Sequence, residues 1–226
     1  MTISLLIETP AGADAPAATT RFGGAPSAPG GRLDWPVCAA CNGHMQFLGQ
    51  IAPGQEAGDA LLLLFMCQND PGTCNEWEAD EGGNRVIAVP ATNLAFVAPP
   101  AHGEVLRPDR YGARLVEVEA GVENDGQDED EEDEDEDDNA YDVARDAWCE
   151  ANGTGGREIL GQLGGEPAWI QGDEQPDCDA CGEPMTFVAQ LEEGPDADTA
   201  MNFGGGCAYV YRCTCGAGQP KMLWQC

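Results

Sequence analysis

The residues best suited to chemistry in this chain are its cysteines. There are eleven, and eight of them fall into four close pairs. Cys38 and Cys41 are separated by two residues, and Cys67 and Cys74 follow after a gap of 25. Cys178 and Cys181 repeat the two-residue spacing, and Cys213 and Cys215 follow after a gap of 31. Two separated cysteine pairs supply the four thiolates that tetrahedral zinc takes at about 2.3 Å each. A pair can face one ion only if the chain turns sharply after its second cysteine, which needs a residue tolerant of positive φ. Asn42, Asn75, Gly182 and Gly216 occupy those four positions. The pattern therefore predicts two zinc ions, one held by Cys38, Cys41, Cys67 and Cys74, the other by Cys178, Cys181, Cys213 and Cys215. His44 could replace a thiolate of the first set, and Cys207 or Cys226 one of the second. Cys149 has no evident partner. The competing reading of all these residues is that of buried apolar thiols.

The pairs belong to a longer repeat. Pro36, Cys38, Cys41, Met45, Phe47 and Gln50 recur as Pro176, Cys178, Cys181, Met185, Phe187 and Gln190, all at an offset of 140. Upstream, Gly23-Gly24-Ala25-Pro26 matches Gly164-Gly165-Glu166-Pro167 at an offset of 141. Agreement among unlike residues in order and spacing indicates a duplicated unit. Strands are expected at Met45 to Ile51, Leu61 to Met66 and Asn84 to Val89 in the first copy. The second copy begins near Ile159 to Gly165 and should have strands at Met185 to Leu191, Ala208 to Arg212 and Met222 to Gln225. These runs combine β-branched, aromatic and apolar residues bounded by turn formers. Leu115 to Glu119 alternates apolar and acidic residues and reads as an edge strand. Helical periodicity is confined to a short stretch around Tyr141 to Glu150. The expected fold is mainly β, an α+β chain with few helices, built from two duplicated β-rich halves, each with a zinc-ribbon-like cysteine cluster. Its expected segments are a mobile arm over 1–20, a first repeat over 21–120, an acidic disordered linker over 121–140 and a second repeat over 141–226.

Charge narrows the function. The chain of 226 residues carries 41 acids against 10 bases, a formal charge of −31, with an unbroken acidic run from Asp128 to Asp138. Like charges packed so densely resist compaction, which is why the linker is read as disordered. Even outside that run, acids outnumber bases about three to one. Such a surface repels nucleic acid and anionic membranes and suits a basic protein partner. Salt adaptation and plain solubility are the competing accounts of the charge. The longest apolar run, Ala60 to Cys67, is far short of the ~20 residues a membrane helix needs, and the first residues lack a secretory pattern. A soluble, cytoplasmic protein is expected. In that reducing setting metal ligation is favoured over disulfides.

Catalytic patterns are scarce. The two serines, Ser4 and Ser27, lie in no nucleophile elbow, and Gly204-Gly205-Gly206 lacks the lysine of a phosphate loop. A redox use of the Cys-x-x-Cys motifs would want a helix starting at the motif to lower a thiol pKa, but proline, glycine and strand-like residues surround both. Four cysteines per site leave no open position for a catalytic metal. The expectation is a non-enzymatic binding protein, with a thiol-redox or zinc-dependent enzyme as the alternative.

The order Gly-Gly-x-Pro, Pro-x-Cys-x-x-Cys-x-x-x-Met-x-Phe-x-x-Gln and a strand leading into a cysteine resembles the YwqG-like family of bacterial proteins of unknown function. Gly164-Gly165-Glu166-Pro167-Ala168-Trp169, the paired cysteines and Phe187-Val188-Ala189-Gln190 are also similar to the programmed-cell-death protein 2 family. The resemblance covers most of residues 21–97 and 158–226. The first family implies a β-rich fold of two related halves with no assigned activity. The second implies a chaperone-like role, its members escorting a basic ribosomal protein, but this chain has no clear equivalent of that family's separate finger domain.

Overall fold

The structure, a computed structural model, describes residues 1–11, 17–54, 60–120 and 139–226. The acidic run Asp128 to Asp138, and with it the expected linker up to residue 138, lies outside the described residues. Among the described residues twelve strands, one α-helix and a short 3-10 helix (Ala197–Thr199, between β10 and β11) occur; the strands and the α-helix follow in the order β1 (Thr2–Pro10), β2 (Arg21–Phe22), β3 (Ser27–Pro29), β4 (Gln46–Ile51), β5 (Ala60–Met66), β6 (Asn84–Pro90), β7 (Leu94–Phe96), β8 (Tyr111–Glu119), α1 (Ala140–Asn152), β9 (Ile159–Leu163), β10 (Thr186–Glu192), β11 (Cys207–Arg212) and β12 (Lys221–Gln225). The fold is mainly β, as expected, and each strand expected in the two repeats forms within a residue or so of its place.

Ten strands make one antiparallel sheet in the order β12-β11-β10-β9-β1-β8-β2-β4-β5-β6, while β3 and β7 pair separately. The duplication is visible in this order. The strands β2-β4-β5-β6 form one flank, β9-β10-β11-β12 the other, and β1 and β8 lie antiparallel between them, with Leu6 opposite Leu115. Even the irregularities repeat: β4 slips register against β5 between Phe47 and Gly49, and β10 slips against β11 between Phe187 and Ala189. Such a bulge bends the strand and increases its twist, which helps the sheet curl on itself. The two outermost strands then approach each other. The Trp224 backbone N–H donates to the Trp77 carbonyl at 3.1 Å. Lys221, the lone lysine, is buried and reaches Asp80 at 2.6 Å and Asp179 at 2.8 Å.

Inside the curl lies a shared core. Leu6, Phe22, Leu48, Leu62, Leu64 and Val86 pack in one cluster with Leu160, Ala189, Leu191, Phe203, Val210 and Met222. The two repeats therefore bury one interior between them. On the outside, α1 covers Ile3, Leu5 and Ile7 with Tyr141, Ala144 and Trp148. Asn139 caps the helix by accepting from Asp142 N, and Gly153 ends it in the left-handed region, a usual C-terminal arrangement. Both faces of β5 are covered, since its alternate residues enter the interior cluster and an outer one with Phe47 and Trp35. This accounts for its unbroken apolar sequence.

One expectation needs correction. Residues 1–20 were expected as a mobile arm, yet Thr2–Pro10 pairs with β8 on one side and β9 on the other, in the middle of the sheet. Its pairs are more than a hundred residues away in sequence, so its own neighbours give no hint of them. Leu115 to Glu119, expected as an edge strand, pairs with β1 on one side; among the described residues β2 meets β8 only at Tyr111 and Gly112, so this stretch has an open side although β8 lies inside the strand order. Its glutamates, Glu117 and Glu119, are exposed.

Candidate metal centres

Each cysteine knuckle is built by a tight turn ahead of a strand. In the first copy Cys38 N donates to Gly43 O at 2.9 Å, and Asn42 N to Cys38 O at 2.9 Å. In the second, Cys178 N donates to Glu183 O at 2.9 Å, and Gly182 N to Cys178 O at 2.8 Å. The residue after the second cysteine of every pair has positive φ: 59° at Asn42, 50° at Asn75, 74° at Gly182 and 71° at Gly216. The turn requirement read from the sequence is thus met at all four positions. Strand ends fix the knuckles further. Met45 N donates to Pro36 O at 3.0 Å and Met185 N to Pro176 O at 2.9 Å, while both methionine side chains are fully buried.

These turns bring together the two predicted sets. The sulfurs of Cys38, Cys41, Cys67 and Cys74 lie within 4.8 Å of one another, and so do those of Cys178, Cys181, Cys213 and Cys215. Among these pairs, Cys41 and Cys67 are 3.7 Å apart, Cys178 and Cys215 3.8 Å, and Cys181 and Cys213 3.5 Å. A disulfide needs about 2.05 Å. Tetrahedral coordination at a metal–sulfur distance of about 2.3 Å places sulfurs roughly 3.8 Å apart. The spacing fits four ligands around one metal ion. His44, Cys207 and Cys226 fall outside both groups. Burial pushes the Cys207 thiol far up, and the Glu192 carboxylate adds to the shift.

Hydrogen bonds and burial divide the thiols unequally. The Cys41 thiol is lowered by the Gly43 N–H, with smaller help from its neighbouring thiols. Cys215 is lowered to about 6 by the Ala217 N–H, then by the Cys213 thiol and the Gly218 N–H. Burial, and then the Cys67 thiol, push Cys74 up to about 12. At Cys213 the Cys215 N–H favours the thiolate, but the neighbouring thiols and burial outweigh it and raise the group to about 12. One thiolate per cluster is favoured by local donors, whereas Cys67 and Cys74 in the first cluster and Cys181 and Cys213 in the second are raised. A bound dication supplies the countercharge that lets all four ionise.

Two supporting residues were not legible in the sequence. The Asn69 amide donates to Cys41 Sγ at 3.5 Å and to Cys67 Sγ at 3.3 Å. The sequence marks Asn69-Asp70-Pro71-Gly72 only as a turn and says nothing of where that amide points. Gly218 runs so close to Cys178 that a Cβ there would collide with its sulfur.

The two ends of the molecule touch. Lys221 joins Asp179, which lies between Cys178 and Cys181, to Asp80, which lies in the loop after Cys74. Among the described residues no helix is long and apolar enough to cross a membrane. No family model matches the chain, and no curated protein matches it either.

Proposed function

We propose that the protein is a zinc-stabilised, non-enzymatic binding protein whose acidic surface takes a basic protein partner, as an escort or a neutralising partner. The observation that carries this reading is the pair of four-sulfur clusters at tetrahedral spacing. A set of four cysteines favours zinc among common divalent ions and leaves no coordination position for a substrate. The metal would then serve the fold, tying each knuckle to the loop that follows its strands. The formal charge of −31 supports the partner class, because complementary charge speeds encounter and rejects polyanions. The similarity of the motifs to the programmed-cell-death protein 2 family supplies an analogy for escort and no more than that. A thiol-redox use has less support, since both Cys-x-x-Cys motifs lie in turns ahead of strands, without a helix start to stabilise a thiolate.

The test is affinity capture from native lysate followed by binding kinetics at several salt concentrations. The reading expects a folded basic protein whose association slows steeply as salt rises, because exposed charges are screened beyond about 8 Å at physiological ionic strength. An acidic partner, or an association rate indifferent to salt, would contradict it.

A further inference from the structure

The two cysteine clusters differ in how far solvent reaches them. In the first, Cys38, Cys67 and Cys74 are buried and Cys41 alone is exposed. In the second, Cys178 alone is buried; Cys213 is half-buried, and Cys181 and Cys215 are exposed. The surroundings of the turns follow the same division. A Cβ added at Gly43, in the first knuckle, would collide with the Asn69 side chain, and one at Gly83 with the Cys74 carbonyl. At Gly182 and Gly216, which follow Cys181 and Cys215, a Cβ would meet nothing within 4 Å. The Asn69 amide also covers the first cluster, donating to the sulfurs of Cys41 and Cys67. In the second, Cys213 Sγ accepts instead from a backbone N–H, that of Cys215, at 3.4 Å.

Exposure decides which thiolates an oxidant can reach. Cys181 and Cys213, one from each pair of the second cluster, have sulfurs 3.5 Å apart. A disulfide needs about 2.05 Å, so the sulfurs must close by about 1.5 Å, and the turn at Gly182 has open space beside it. In the first cluster Cys41 is also exposed, but its neighbour Cys67, at 3.7 Å, is buried, and the Asn69 amide lies against both sulfurs.

We infer that the second cluster is an oxidation site, where a neutral hydroperoxide joins Cys181 to Cys213 as a disulfide and that cluster's zinc is released, while the first cluster keeps its own. The inference rests on the reading of both clusters as zinc sites. The oxidant is neutral because a formal charge of −31 disfavours the approach of anions. With hydrogen peroxide, the Cys181 thiolate attacks one oxygen and the O–O bond breaks, giving a sulfenic acid and hydroxide. The Cys213 thiolate then displaces a second hydroxide from that sulfur. Two electrons pass from the sulfurs to the peroxide oxygens, and two solvent protons turn both hydroxides into water. Cys178 and Cys215 remain, too few ligands for a closed tetrahedral site. The event is stoichiometric and reversed by a dithiol with zinc; it is not an enzymatic cycle.

The experiment treats the full zinc-loaded chain with hydrogen peroxide, follows released zinc with a colorimetric chelator and maps disulfides by mass spectrometry of alkylated peptides. One zinc ion should leave several-fold faster than the other, together with formation of a Cys181–Cys213 disulfide, while Cys38, Cys41, Cys67 and Cys74 stay reduced. Dithiothreitol with added zinc should restore the lost ion. The Cys38→Ser/Cys41→Ser variant should lose its remaining zinc at the fast rate and Cys178→Ser/Cys181→Ser at the slow one; should either fail to fold, the peptide map of the parent decides. Equal release rates, a first disulfide within the first cluster, or another pairing in the second would overturn the inference and leave the zinc reading standing. A parent chain that takes up no zinc would overturn both.

Discussion

At Gly218 the backbone passes against Cys178, leaving no room for a side chain. Gly218→Ala should therefore push Cys178 out of the second cluster and leave the first untouched, lowering the metal content by one ion per chain in elemental analysis. Unchanged metal content would show that the loop yields easily. A second residue-scale device is the pair Gln50 and Gln190. Gln50 Oε1 accepts from Ser27 N at 3.2 Å and Gln190 Oε1 from Ala168 N at 2.9 Å, at equivalent places just after the Gly-Gly-x-Pro turns. Both glutamines are buried, so each satisfies a backbone donor that water cannot easily reach. Gln190→Leu would orphan that donor and should cost about 1–3 kcal/mol in denaturant unfolding. A neutral result would mean that another acceptor replaces the amide. The recurrence of Gln in the sequence repeat thus has a local cause, the backbone N–H of the residue after the proline.

Among the elements, β1 is the one on which the two halves depend. It pairs β8 over its whole length and β9 on its other side. Its Leu6 enters the interior core, and Ile3, Leu5 and Ile7 lie under α1. Removing residues 2–10 should abolish cooperative unfolding, monitored by circular dichroism, and a truncated chain that still melts sharply would contradict this placement. The strands of the two repeats were legible in the sequence because their signals are local: an apolar run such as Leu61 to Met66, or the aromatic alternation of Ala208 to Tyr211, bounded by turn residues. The cysteine sets were legible for a similar reason, since pair spacing and the positive-φ residue after each pair are local features. The central place of β1 and β8 was not, because it depends on hydrogen bonds between residues more than a hundred positions apart. Nor was the shared interior, since an apolar face does not say which half of the chain will cover it.

For the whole molecule, charge and metal act in opposite directions. A formal charge of −31 on one chain is self-repulsive, while each four-sulfur cluster can gather chain segments around a dication. Added sodium chloride should accordingly raise the melting temperature of the metal-loaded protein, by screening repulsion over about 8–10 Å; a melting temperature indifferent to salt would contradict that. Structural zinc contributes roughly 10–16 kcal/mol of apparent binding free energy in small peptides, so its removal should outweigh any salt effect and loosen both ends of the sheet. The most direct measurement is the zinc content per chain of protein purified without added metal, repeated on Cys38→Ser/Cys41→Ser and Cys178→Ser/Cys181→Ser double variants. The account predicts two zinc ions in the parent protein and one in each variant, with eight thiols becoming titratable on chelation. A parent content near zero would contradict it.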